Sequence, residues 1–262
     1  DIPDIASSTG SIQVERGVGT STNGAGAFGA TVNLSTNEFH AAPYGSVENS
    51  YGSFNTWKHS VKAGTGLLDH HFTLDARASM ITSDGYIDRA SSDLKSYYLS
   101  GAYFSAKTSV RLNVFSGTEK TYQAWDGVPE DSLKTHRTYN DLGLMSNGKY
   151  YSNQTDNYTQ TYYQLFLNHE IAPRWTSNVA VFLTRGKGYY EEYKLDQPYG
   201  SYGLADPVFG HDTLYTTDLI RDRWLDNYFY GTVFSLNHTG AKLRWHLGGG
   251  VDRYNGRHYG DV

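Results

Sequence analysis

The sequence has no cysteine, only six prolines, and no apolar run near the roughly 18 residues that a membrane-spanning helix needs. Absent thiols remove disulfide frameworks and thiolate metal sites, and leave the compartment open. The missing apolar run excludes a spanning helix but not a spanning β-barrel, whose strands turn only every second residue to lipid and keep hydropathy averages low. Charge of one sign is lacking too: the net charge is −5 with no basic stripe, so nucleic acid is not expected as a partner. The first residues, Asp1-Ile-Pro-Asp-Ile-Ala, have no basic region leading into an apolar one, so no signal peptide is expected there. Aliphatic side chains are scarce for 262 residues, because the 38% hydrophobic fraction includes 23 tyrosines.

What the chain has is glycine, 28 copies, and a persistent two-residue alternation. The glycines include a literal G-x-G-x-x-G at Gly24, Gly26 and Gly29. A nucleotide cradle of that form needs a helix opening at the third glycine, because helix N-terminal amides and the macrodipole hold the phosphate. The chain instead continues Thr31-Val-Asn-Leu-Ser-Thr36, whose alternation and β-branched residues read as a strand. The nucleotide reading fails on context.

Elsewhere Phe72, Leu74, Ala76, Ala78 and Met80 share one face, and Thr73, Asp75, Arg77 and Ser79 the other. Val110, Leu112 and Val114 oppose Ser109, Arg111 and Asn113, while Tyr163, Leu165 and Leu167 oppose Gln164 and Asn168, with Phe166 out of pattern. Val179, Val181 and Leu183 oppose Asn178 and Thr184, and Leu243, Trp245, Leu247 and Val251 oppose Lys242, Arg244, His246 and Asp252. Such strands predict an all-β, antiparallel protein, without saying which face looks outward. Short turns are expected near 68–70, 106–108, 171–174 and 238–241, and long polar segments over 82–95, 120–156 and 187–226. Alternating short and long connections are the habit of an outer-membrane barrel. Aromatics at strand ends (Tyr97, Tyr98, Trp125, Tyr150, Tyr151, Trp175, Tyr189, Tyr190 and Trp224) fit interfacial girdles, although tyrosine favours strands of any kind. The composition shifts near Pro43, which predicts two parts, 1–42 and 43–262.

Residues 14 to 36 resemble the end of the plug domain of TonB-dependent outer-membrane receptors of the siderophore type. That family shows V-E-R-G, a short Gly/Ser run, Y-G, a small residue, G-A-x-G-G, and then I-N-I-x-T leading into the barrel. Here stand Val14-Glu-Arg-Gly17, Gly19, Ser21, Gly24, Gly26-Ala-Phe-Gly29 and Val32-Asn-Leu-Ser-Thr36, with Asn23 in place of the common Tyr and Ala30 in place of the second Gly. Gly117 to Gly127 and Tyr189-Tyr-Glu-Glu-Tyr193 resemble loop-base segments of one branch of the family. The resemblance implies a transmembrane β-barrel preceded by the C-terminal part of a plug. About nine strands follow Pro43, against about 22 in plugged transporters, so a part of a larger barrel is expected, unable to close alone. The leader, the TonB-contacting segment and the rest of the plug and barrel are then expected outside this sequence.

The glycines at 17, 24, 26 and 29 are expected to serve close packing of plug backbone, where a Cβ would clash or need positive φ. The resemblance also implies that Arg16 belongs to a charge cluster pairing plug with glutamates of the wall, since a buried arginine must be paired. Glu191 and Glu192 are adjacent and face opposite sides of a strand, Asp69-His-His71 reads as a polar turn, and no nucleophile elbow occurs, so neither catalysis nor a resident metal or cofactor is expected. Ligand contact is expected from the long loops through Tyr122, Trp125, His136, Tyr139, His211 and Tyr215, because aromatics give contact area at low entropic cost. Arg77, Arg111, Arg244 and His246 are expected to line the lumen.

The implied function is TonB-dependent import of a scarce substrate, foremost a ferric siderophore or other iron chelate, with haem, cobalamin and oligosaccharide left open. A passive or adhesive barrel binding a glycan or host surface is the alternative, and a soluble lectin-like sandwich a third. The sandwich requires Phe72, Leu74, Trp245 and Leu247 to be buried in a core, and the importer requires Met80, Val181 and Leu243 to face outward.

Overall fold

The structure is a computed structural model that describes residues 2–17, 29–36 and 39–262. Gly24 and Gly26 lie outside the described residues. Near the N-terminus a single 3-10 turn, Ile5–Ser8, precedes β1 (Ser11–Arg16), which pairs antiparallel with β2 (Ala30–Ser35), Val14 facing Val32. β2 therefore follows Gly29 directly, the strand context on which the nucleotide reading fails.

From Tyr44 onward one antiparallel sheet takes over. Its members are β3 (Tyr44–Gly52), β4 (Thr56–Gly64), β5 (Phe72–Ser83), β6 (Ser92–Phe104), β7 (Thr108–Tyr122), β8 (Thr155–Ala172), β9 (Trp175–Pro198), β12 (Thr216–Thr239) and β13 (Arg244–Asp261). Each pairs with the next in a nine-stranded order, the number expected after Pro43. β10 (Val208–Phe209) and β11 (Asp212–Thr213) form a small separate hairpin between β9 and β12.

The connections alternate as expected. At one end the chain turns at Leu68–His71, Ser105–Lys107, Pro173–Arg174 and Gly240–Leu243. Asp69 (φ 47°) and His70 (φ 58°) both occupy the left-handed region, the requirement of a two-residue hairpin turn whose twist matches its strands. At the other end lie the long segments, except that β3 and β4 are joined by a tight turn through Phe54 and Asn55, also left-handed. The difference from expectation is in strand length. β9 and β12 are 24 residues each, so β9 continues eleven residues beyond Lys187 and β12 begins ten before Asp226. Only about 9–11 residues of a strand fit within a bilayer. The remainder stands outside, where the regular apolar alternation lapses and pairing between β9 and β12 persists without it.

The distribution of polarity is inverted relative to a soluble protein. Phe72 is 50% exposed, Leu74 56%, Leu112 49%, Leu165 44% and Leu247 62%, whereas Arg77 is 2%, Ser100 1% and Asn113 0% exposed. A soluble sandwich would need the reverse. Met80, Val181 and Leu243 also lie on the surface. Aliphatic side chains thus dominate the outer face of the sheet, while polar side chains and aromatics such as Phe115, Tyr162, Phe182 and Phe229 line its inner face, the arrangement a barrel wall needs in lipid. Near the short turns Trp175 packs on His238 (ring centroids 4.7 Å) and edge-on against Trp245 (5.1 Å), all outward, as an interfacial girdle predicts.

Candidate functional site

Two clusters on the inner face join elements far apart in sequence. The first holds the N-terminal segment to the wall. Lys58 Nζ of β4 lies 2.7 Å from Asp4 Oδ1, Arg77 Nη1 of β5 3.3 Å from Asp4 Oδ2, and Ser79 donates to the same carboxylate at 2.6 Å. Arg77 Nε also donates to Ser8 Oγ at 2.5 Å, and Tyr98 of β6 donates to the Thr36 carbonyl at 3.1 Å. The side chains of Arg77 and Asp4 are 1% and 5% exposed. Burial alone would raise the Asp4 pKa, but hydrogen bonds from Lys58, Ser7 and Ser79 and the Lys58 charge outweigh it and bring it below its ordinary value. The described ion pairs between segment and wall therefore carry the acid on the segment and the bases on the wall. Arg16 is exposed on β1 opposite Ala30, while Gly17 (φ 87°) donates its N–H to the Gly29 carbonyl at 2.7 Å. Of the lumen residues expected, Arg111 bonds Ser100 at 2.8 Å and His246 bonds Asn237.

The second cluster organises the long loops. Gln123, 1% exposed, donates to the carbonyls of Thr155 (3.1 Å) and Glu191 (2.9 Å) and accepts from Gln154 at 3.0 Å. Gln154 accepts from the Tyr193 N–H at 2.7 Å. Asn140 donates to the carbonyls of Asp88 and Gln123, and Arg89 donates to the Asn140 carbonyl while stacking 3.5 Å from the Tyr150 ring centre. The Tyr151 phenol donates to Glu191; burial, that bond and the Glu191 charge push it up to about 12. The segments 84–91 and 123–154 and the upper part of β9 thus form one hydrogen-bonded body.

The expected ligand residues separate in this frame. Tyr122 is 8% exposed, with its hydroxyl near the carbonyls of Leu142 (3.2 Å) and Tyr151 (3.0 Å) and accepting from Arg89, so it pins loops together and offers nothing to a ligand. His136 Nε2 lies 2.9 Å from Asp88 and its ring 5.5 Å from Tyr139. His211 and Tyr215 are exposed at and beside the β10–β11 hairpin. Trp125 is 54% exposed and meets Tyr190 edge-on at 5.3 Å. Tyr190 faces inward, stacked under Arg223 at 5.1 Å, with the Arg221–Glu192 pair (2.7 Å) beside it. Trp125, Tyr190 and Arg223 form an open aromatic and cationic platform above the inner wall. Tyr190 and Arg223 both fall within the segment 187–226 expected to be a loop, and each instead lies in a strand, β9 and β12; only the pairing of those strands brings them together. Glu191 and Glu192 do face opposite sides. Among the described residues no group of three His, Asp or Glu could hold a metal ion.

A similar arrangement of chain occurs in solved structures. A siderophore receptor PiuA from Acinetobacter baumannii matches with a TM-score of 0.67 at 12% identity, over 93% of this chain and 34% of its own. The fold is that of a TonB-dependent outer-membrane receptor. A copper transporter OprC (TM-score 0.69, 13% identity, 97% of this chain and 34% of that one) and the ferripyoverdine receptor of the outer membrane of Pseudomonas aeruginosa (0.63, 15%, 95% and 33%) share it. The chain spans about a third of the length of these receptors. No protein-family model matches the sequence, and no curated protein matches it significantly. Within the receptor fold, the nine strands correspond to part of the barrel.

Proposed function

We propose that this chain is part of a TonB-dependent importer of the bacterial outer membrane, with 1–42 the end of its plug and 43–262 the first part of its barrel. The observation that carries the reading is the attachment of the N-terminal segment by Asp4 to Lys58 and Arg77 on the polar inner face of an inverted-polarity wall. A passive barrel has no need of an anchored insert, whereas an importer needs one that holds at rest and yields to a pull from TonB. Side-chain hydrogen bonds and ion pairs suit that task better than a continuous apolar seal.

The substrate class we infer is an iron chelate or similar metal complex carrying negative charge. Trp125 and Tyr190 offer flat apolar contact, and Arg223 stacked on Tyr190 supplies positive charge without being consumed by the Glu192 pair that holds Arg221. His136, Tyr139, His211 and Tyr215 frame the same external side as secondary contacts, and Arg16 with Gly17, Gly24, Gly26 and Gly29 belongs to the plug. No step calls for covalent chemistry. The test is uptake of labelled ferric chelates by cells carrying or lacking the gene, with and without a proton-gradient uncoupler. Gene-dependent, uncoupler-sensitive uptake is expected; uptake that survives uncoupling would make the barrel a passive one.

A further inference from the structure

The inner face of the wall carries an acid, a ring and a base in one register row. Asp156 of β8 stands directly opposite Tyr190 of β9, and Tyr190 directly opposite Arg223 of β12, all three turned inward. Adjacent strands lie about 4.8 Å apart, so the backbone positions of the acid and the base are about 10 Å apart, with the Tyr190 ring between them. Arg223 covers that ring at 5.1 Å and Trp125 meets it edge-on at 5.3 Å. One pair of residues nearer the short turns, Glu119 of β7 faces Tyr158 of β8. Glu119 is thus diagonal to Asp156, near enough for the two carboxylates to repel. Tyr158 lies flat along the wall: a Cβ on Gly186 would strike its hydroxyl, and one on Gly188 would lie 2.7 Å from its ring. The two glycines keep the floor beneath the row shallow.

The acids of this region differ in their company. Glu192, one row further out, holds Arg221 at 2.7 Å. Asp156 and Glu119 are half-buried, and among the described residues neither carboxylate has a hydrogen bond or an ion pair. A carboxylate that gives up water without gaining a partner is costly, and two side by side cost more. We propose that Asp156 and Glu119 receive a cationic group of the substrate, a protonated amine, so that the imported chelate is zwitterionic, with its amine about 10 Å from its anionic metal-binding end. The inference rests on the reading of this face as the substrate vestibule of an importer, and adds to it a subsite of the charge opposite to that of Arg223. The ammonium donates charge-assisted hydrogen bonds to the two carboxylates, while the anionic end lies on the Trp125 and Tyr190 rings beside Arg223. Acid and base at opposite ends of one row fix the orientation of such a molecule. They also disfavour an anionic chelate that lacks the amine, which would leave the acids unpaired and meet their repulsion.

The test titrates the intact protein, purified in detergent, with two probes and follows quenching of tryptophan fluorescence. One probe is a ferric tris-catecholate bearing a single primary amine on a short linker, and the other is the same chelate with that amine acetylated. Wild type is expected to bind the amine form at least about tenfold more tightly. The D156N/E119Q double variant, in which both replacements keep the shape of the side chain, is expected to lose that preference. The comparison of the two probes on wild type decides the matter even where the variant assembles poorly. Equal affinity for both probes, tighter binding of the acetylated one, or a preference that survives in the double variant would each overturn the inference and leave the importer reading in place. Failure of both probes to bind would overturn the substrate reading and the inference together.

Discussion

Asp4 illustrates how much one side chain can hold. It ties three wall residues to the N-terminal segment, and its removal leaves Arg77 buried without its countercharge. An uncompensated buried charge costs about 3–5 kcal/mol, so Asp4→Ala is expected to release residues 5–8 from the wall, seen as lost amide protection there while the strands keep theirs. The pH dependence follows from the sign of the shift. The folded pKa lies below the ordinary 3.8, so the contact is fully present above that value and is lost as pH falls through the lower folded pKa. Protection of residues 5–8 is therefore expected to stay flat through neutral pH and to drop only in acid. Tyr151 shifts the other way. With its phenol pushed up to about 12, its contribution is fully present below pH 10 and is lost as pH rises toward that value. Ultraviolet titration is expected to show a late-ionising component to which Tyr151 contributes, and Tyr151→Phe to diminish that component.

At the scale of elements, the long loops behave as a body whose interior is amide and hydroxyl groups in place of hydrocarbon. Gln123→Ala would strand the carbonyls of Thr155 and Glu191 and the Gln154 amide, at about 1–3 kcal/mol for each buried group left unpaired. Faster proteolysis within 124–153, with the strands intact, is the expected readout. None of this was legible in the sequence, since hydrogen bonding between positions 123, 140, 154 and 191 leaves no local period. The strands themselves were legible wherever lipid imposes alternation, and stopped being so above residue 187, where water on both faces removes that constraint. Tyr122 was singled out by composition and turned out to be engaged with backbone carbonyls, because a tyrosine near a strand end serves an internal hydrogen bond as readily as a ligand.

For the molecule as a whole, the inverted polarity sets different tolerances on neighbouring residues. Leu165 faces outward and Gln164 inward on the same strand. Leu165→Arg is expected to cost about 2–4 kcal/mol of folding free energy in a bilayer, near the middle of the apolar band, while Gln164→Arg costs less than about 1 kcal/mol. Denaturant titration of the reconstituted protein distinguishes the two. Equal costs would mean that the outer face is not the lipid face.

The sequence by itself determined the strand period, the alternation of short and long connections and the number of strands, because each is a local consequence of backbone pleat and turn chemistry. Only the tertiary structure decided which face is outward, which charges join the N-terminal segment to the wall, and where an acid and a base share a row of the inner face. Those depend on register between strands, and register brings together residues such as Asp4 and Arg77, or Asp156 and Arg223, that no spacing along the chain connects.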